Sequence, residues 1–435
     1  MALRFGTDGV RAEAFTVLTT QYVRALGAAA ASVLGGESFL VGRDTRESGP
    51  ELLRAFAQGC ASRGVSVVDL GVVPTPAVAH MSSTLAIPAA MLSASHNPWQ
   101  DNGVKLFSSG GRKLSDDDQD VIQAELDRNP SLAETGEEPQ ISEGMITPYL
   151  DAVVGSIGGR FEGVRVALDC AHGSASATAA TIFERLGADV VALADQPDGR
   201  NINSGVGSTH PEFLQQAVLE QGASVGFAFD GDADRVAAVG SDGEVIDGDR
   251  IIAMTALDRR DSGRLAHDTV VITVMANLGF RVAMEAENLV MVETPVGDRY
   301  VLEALDEGGY SLGGEQSGHV IHRDLATTGD GVLTAVQLLD AAVRRNVDLG
   351  EWAAGVMTRY PQILENVRTD DKIPNLVERL APAIDAEEAE LGADGRVLIR
   401  ESGTEPVVRV MVEAADQSVA RASVDRLVAA VEALA

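Results

Sequence analysis

Short apolar runs broken by polar, glycine-bearing loops recur along the first three-fifths of the chain. Phe39–Gly42 is the first clear run, and the polar Arg43-Asp44-Thr45-Arg46 follows it. Ser48 with Glu51 fits a capping box and predicts a helix to about Ser62. Val65–Leu70 and Ala89–Leu92 predict further strands, the second leading straight into Ser93-Ala94-Ser95-His96-Asn97-Pro98. Asp116–Leu126 predicts an acidic surface helix. Residues 129–147 carry prolines, glutamates and glycine without a period, which predicts a linker before a helix near 148–156.

The pattern restarts at Val164–Leu168, passes through Asp169-Cys170-Ala171-His172-Gly173, and predicts a helix from about Ser176 to Leu186. Asp189–Leu193 and Val225–Phe229 are the next strands. It restarts again at Val270–Met275, with a helix near 279–287, a strand at 289–293 and a helix near 298–306 before Gly313-Gly314-Glu315. Three units of roughly 100 residues each predict three similar α/β domains. Most of the polar loops lie just past the carboxyl ends of strands, where open α/β sheets bind ligands. The tail differs: strands at Arg396–Ile399 and Val407–Val412 and an amphipathic helix at Val419–Leu434 predict a small α+β domain. The expected domains are residues 1–152, 153–249, 250–361 and 362–435.

The chain has 435 residues, of which 45% are hydrophobic, enough for several cores. No apolar run reaches the ~18–20 residues of a membrane span. Met1-Ala2-Leu3-Arg4-Phe5-Gly6 has no apolar stretch behind its charge, so no secretory signal is expected. Cys60 and Cys170 have neither metal nor redox spacing, and two thiols in such a chain fit a reducing cytoplasm. The formal net charge of −31 argues against nucleic acid and anionic membranes as partners. It does not exclude a phosphorylated substrate, because surface charge is screened over ~8 Å. Of the 34 cationic residues only Lys105, Lys113 and Lys372 are lysines. Lys105 follows Ser95 by ten positions and, unlike an arginine, can give up its proton.

Two loops carry the sharpest chemistry. Ser95 offers a hydroxyl that can carry a phosphoryl group. Asp230, Asp232 and Asp234 alternate in Phe229-Asp230-Gly231-Asp232-Ala233-Asp234-Arg235, so on an extended segment they share one face and can hold a hard cation. An EF-hand loop is excluded, since Arg235 and Ser241 stand where glycine and glutamate are needed. Arg400-Glu401-Ser402-Gly403-Thr404-Glu405-Pro406, with Arg409 beyond, groups guanidiniums, hydroxyls and glycine amides that can wrap a phosphate. Gly314-Glu315-Gln316-Ser317-Gly318-His319 offers hydroxyl-reading groups between glycines. His80, His267 and His322 lack metal spacing and read as structural.

These loops, with Phe5-Gly6-Thr7-Asp8-Gly9-Val10-Arg11 and Asp101–Lys105, resemble the α-D-phosphohexomutase superfamily across essentially the whole chain. Gly207–Glu212, Val296–Tyr300 and Thr328–Gly331 are similar to the bacterial phosphoglucosamine mutases within it. The resemblance implies three related mixed α/β sandwich domains plus a small C-terminal α+β domain, around a central cleft. It implies that Ser95 is phosphorylated, primed by a sugar bisphosphate, and that Ser95, Asp230, Asp232 and Asp234 bind Mg²⁺. It places Lys105 and His96 beside the phosphoryl group, Lys105 being the preferred acid/base. Arg11 and Arg235 add positive charge, and Glu315, Ser317 and His319 meet the sugar. Arg400, Ser402, Gly403, Thr404 and Arg409 take the second phosphate.

The implied reaction interconverts glucosamine 6-phosphate and glucosamine 1-phosphate through a bisphosphate, with a hexosamine phosphate as substrate and a homodimer possible by analogy. Three alternatives stay open on the sequence: a sister mutase acting on mannose or glucose phosphates, a haloacid-dehalogenase-type phosphatase with Asp230 as nucleophile, and a sugar-phosphate sensor. Ala12, Val206 and Glu401 depart from the family pattern. Glu401, standing where proline is usual, puts a negative charge beside the phosphate loop.

Overall fold

The apolar runs fold into four sheets. In the computed structural model the described residues are 3–4, 9–129, 132, 141–369, 373–401 and 407–434. They form two compact units, Met1–Met275 with Val290–Gly355, and Ala276–Leu289 with Val356–Ala435.

The larger unit holds three sheets. The first runs Val10–Glu13, Asp101–Ser108, Ala89–Leu92, Ser38–Arg43, Ser66–Val72, Ile141–Glu143, with Arg112–Lys113 hairpinned onto Asp101–Ser108. Ser38–Arg43 is parallel to both of its neighbours, whereas Asp101–Ser108 is antiparallel to its own. The second sheet runs Val245–Ile246, Val236–Gly240, Val225–Phe229, Arg165–Asp169, Asp189–Leu193. The third runs Val290–Thr294, Thr269–Thr273, Leu312–Gly314, Val320–His322. Central strands such as Ala89–Leu92 and Val225–Phe229 are buried throughout, which is why they read as unbroken apolar runs.

The smaller unit is a three-stranded antiparallel sheet, Gln362–Arg368, Val407–Ala414, Gly395–Glu401, with helices Leu376–Leu391 and Gln417–Glu432. Helix Leu278–Ala286 belongs to it. The fully buried Glu413 carboxylate accepts from Asn277 Nδ2, Leu278 N, Gln362 Nε2 and Arg396 Nε.

Several local readings need correction. Ser48 does not cap the helix Gly49–Ala61: its backbone is already helical, and its hydroxyl accepts from Asn102 instead. The expected helix 176–186 is a 3₁₀ turn, Ser174–Ala177, and a helix, Ala179–Arg185, broken at Thr178. Within the expected linker, Ile141–Glu143 is a strand that extends the first sheet. Among the described residues no helix is long and apolar enough to cross a membrane.

Candidate active site

The first sheet delivers the serine. Buried strand Ala89–Leu92 ends at Ser93, whose hydroxyl donates to Asp44 (2.6 Å) and accepts from the Ser95 N–H (2.9 Å). Ser95 takes a left-handed conformation (φ +52°) and is 1% exposed. Its Oγ lies 3.3 Å from His96 Nδ1 and donates to Asp230 Oδ2 at 2.6 Å. Burial, then the Arg235 and Arg11 charges, hold the His96 pKa below its usual value, so the ring is neutral near pH 7.

The second sheet delivers the acids. Strand Val225–Phe229 runs into Asp230, but the segment then turns, with Ala233 left-handed (φ +56°), so it is not the extended run expected. The turn still gathers one oxygen from each of Asp230, Asp232 and Asp234 within 4.8 Å of one another. Lys105, on the long antiparallel strand of the first sheet, donates to Asp232 Oδ2 (2.7 Å) and Asp234 Oδ2 (3.1 Å). Thr75 Oγ1 also donates to Asp232 Oδ2 (2.6 Å).

These neighbours divide the acids. Burial, then the Asp232 and Asp234 charges, push Asp230 up to about 8. Burial and Asp234 also press upward on Asp232, but Lys105 outweighs them and holds it below the usual carboxylate range. Asp234 is likewise buried, yet Lys105 and His319 drive it well below that range. Asp232 and Asp234 face one lysine in a dry site, and Asp232 Oδ1 is buried without a hydrogen-bond partner among the described residues. Such an oxygen-only set fits a hard divalent cation.

The third sheet contributes the Glu315–His319 loop. Gly297 N donates to Glu315 Oε1 (3.1 Å), and burial raises the Glu315 pKa. Ser317 is exposed at the tip. His319 lies between two acids, Nδ1 3.6 Å from Asp234 Oδ1 and Nε2 3.5 Å from Asp298 Oδ2. Burial would lower its pKa, but those acids raise it. Asp298 also pairs with Lys113 of the first sheet. Arg235 Nη1 lies 3.3 Å from His96 Nδ1, and Arg11 sits on the edge strand opposite Gly103.

In the smaller unit Arg400 and Arg409 stand directly opposite each other on antiparallel strands. Like charges so placed repel. Burial, then Arg409, lowers the Arg400 pKa, and Arg409 Nε is buried without a partner among the described residues. An anion would relieve both. Ser402, Gly403 and Thr404 lie outside the described residues, as do Phe5–Asp8.

The structure thus brings Ser95, His96, Lys105, Asp230, Asp232, Asp234, Arg235 and His319 together. Sequence reasoning missed Thr75 and Asn203, and quoted Asp44, Arg46 and Asp298 without a role. Their signals were single polar residues, and only folding brings them to the site.

Four family models match in order: the alpha/beta/alpha domains I, II and III of phosphoglucomutase/phosphomannomutase at residues 2–133, 147–243 and 247–360, and its C-terminal domain at 364–430. The chain belongs to this phosphoglucomutase/phosphomannomutase family, within the α-D-phosphohexomutase superfamily. Among its relatives, the phosphoglucosamine mutase of Thermobifida fusca is 50% identical, the match covering 98% of this chain and 97% of that one. That of Frankia alni is 48% identical over 100% and 99%. A crystal structure of a phosphoglucomutase/phosphomannomutase family protein from Burkholderia thailandensis superposes with TM-score 0.82 at 26% identity, covering 99% and 97%.

Proposed function

We propose that the protein is a phosphohexomutase that interconverts glucosamine 6-phosphate and glucosamine 1-phosphate through a phosphoserine at Ser95. One observation carries the reading: the Ser95 hydroxyl, from the first sheet, lies 2.6 Å from an acid of the buried triad on the second. Names of relatives that are 45–50% identical over nearly the whole chain favour the amino sugar. Family membership removes the haloacid-dehalogenase-type and sensor alternatives.

Asp230, Asp232 and Asp234, with the serine oxygen, would hold Mg²⁺. When bound, the ion supplies positive charge to the oxygens of the group in transfer. The chain's own residues do the rest. The substrate hydroxyl bonds to phosphorus as the Ser95 Oγ–P bond breaks, giving a sugar bisphosphate. The hydroxyl's proton passes to a base and ends on Ser95 Oγ. His96 is the better-placed base, because its neutral ring faces Oγ, whereas Lys105 Nζ is engaged by two carboxylates. This revises the preference for Lys105. Lys105 and Arg235 stabilise the transferring charge. Glu315 and Ser317 read sugar hydroxyls, and Arg400 with Arg409 takes the phosphate that is not reacting. In the second half-reaction the original phosphoryl group returns to Ser95.

The test is a panel of glucosamine, glucose and mannose 6-phosphates with Mg²⁺ and a trace of hexose bisphosphate, run on wild type and Ser95→Ala. Glucosamine 6-phosphate should be preferred, and the variant should fold but lose turnover by at least about 10³-fold. Full activity in Ser95→Ala would end the proposal. A preference for mannose or glucose 6-phosphate would move it to a sister mutase.

A further inference from the structure

The loop that presents Ser95 is bent against its own preference. A residue with a Cβ resists the left-handed conformation Ser95 adopts. The restraint opposing that cost comes from two side chains outside the loop. Arg46 is buried and uses all five of its N–H donors. Nε donates to Asp44 Oδ2 (2.8 Å), and Nη2 to the carbonyls of Ser95 (2.9 Å) and Asn97 (2.8 Å). Nη1 donates to the carbonyls of Asp101 (2.9 Å) and Pro98.

Asn203 approaches from the other side. Its Nδ2 donates to the same two carbonyls, Ser95 O (2.9 Å) and Asn97 O (3.1 Å). Asn203 is itself left-handed (φ +59°), and its N–H is tied to the Ala171 carbonyl (2.9 Å) in the second sheet's loops. Two carbonyls of the serine loop therefore each receive one donor from the first domain and one from the second. The fit is close: a Cβ on Gly231, beside Asp230, would lie 2.6 Å from Ser95 O and 2.9 Å from Asn203 Nδ2.

We propose that Arg46 and Asn203 are positioning residues that hold Ser95 in its left-handed turn and register its Oγ against the acid triad. The inference rests on the reading of Ser95 as the phosphoryl carrier. Holding the loop decides which oxygen takes the phosphoryl group. In transfer, the Ser95 Oγ–P bond breaks as the sugar oxygen bonds phosphorus, and the sugar's proton ends on Oγ. If water takes the sugar's place, the same bond breaks. Water's oxygen then bonds phosphorus, one of its protons ends on Oγ, and inorganic phosphate leaves. A loosened loop should shift the balance towards water.

The experiment labels Ser95 with ³²P from a hexose bisphosphate, adds glucosamine 6-phosphate, and counts label in sugar phosphate against inorganic phosphate. It compares wild type with Arg46→Lys, which cannot supply five donors, and Asn203→Gly. The latter removes the whole side chain, its amide donor included, without straining the backbone, because glycine accepts the left-handed conformation. Both variants should melt cooperatively. Each should lose about tenfold or more in kcat with KM within about threefold, and the sugar-to-water ratio should fall about tenfold. The double variant should fall less than the product of the two, since the donors share acceptors. Unchanged kcat and ratio, or a lower kcat at the wild-type ratio, would overturn the inference. If Arg46→Lys does not fold, Asn203→Gly gives the same readout. Unlabelled wild type would overturn the reading of Ser95 and this inference with it; labelled wild type with unaltered variants overturns this inference alone.

Discussion

Lys105 shows how much one side chain settles. It is 3% exposed and faces two carboxylates that are themselves buried. Removing one partner of such a set leaves buried charge without compensation, on the order of 3–5 kcal/mol. Lys105→Met should therefore melt well below wild type without metal, and Mg²⁺ should recover more of the loss in the variant than it adds to wild type. Thermal melts with and without Mg²⁺ check this. Asp230 makes the complementary prediction. Its carboxyl, pushed up to about 8, is protonated at pH 7 until a cation displaces the proton. Cation binding should therefore tighten as pH rises from 6 to 8, by up to about tenfold per pH unit for one proton released. Titration with Mg²⁺ at several pH values reads that slope, and a flat profile would contradict it.

Elements explain which parts of this were readable in advance. Strands Ala89–Leu92 and Val225–Phe229 fall where their apolar runs placed them, because burial on both faces leaves a continuous signal. The helix Thr20–Leu34 escaped notice for the opposite reason: Val23 to Ala31 are all buried, so its alanine-rich sequence shows no polar face to set a period. Ser48 matched a cap pattern, but Asn102 claimed its hydroxyl, a contact no local rule can foresee. The same limit hid Asn203 and the contacts of Arg46 and Asp298, which span distances of chain that only tertiary structure closes. Ser95 and the three aspartates were legible because each stands in one short polar loop just past an apolar strand.

Helix Gly331–Arg345 supplies a test at this scale. Asp330 caps it through Leu333 N (2.9 Å), accepts from Tyr149 OH, and is raised to about 7, mainly by burial. A folded-state pKa above the ordinary carboxylate value means the folded protein holds the proton longer, so this group's contribution to stability is lost as pH rises from about 4 to about 7. Asn keeps the cap and cannot ionise. Asp330→Asn should gain stability relative to wild type between pH 5 and pH 8, read by denaturant unfolding at the two values. A constant difference would contradict the assignment.

At the scale of the whole molecule, three sheets in the larger unit each supply one part: a hydroxyl, a set of acids and a histidine-bearing loop. A chain of net charge −31 gathers Lys105, Arg235 and His319 around those acids, so local arrangement rather than total charge defines the site. The smaller unit carries Arg400 and Arg409 opposite each other on adjacent strands. The account stands on Ser95 as the atom that carries the phosphoryl group. Enzyme quenched during turnover of glucosamine 6-phosphate with labelled bisphosphate should yield one labelled peptide, bearing phosphate on Ser95, and its label should pass into both sugar phosphates on a chase. Acid-labile label on Asp230, or label that reaches only inorganic phosphate, would contradict it.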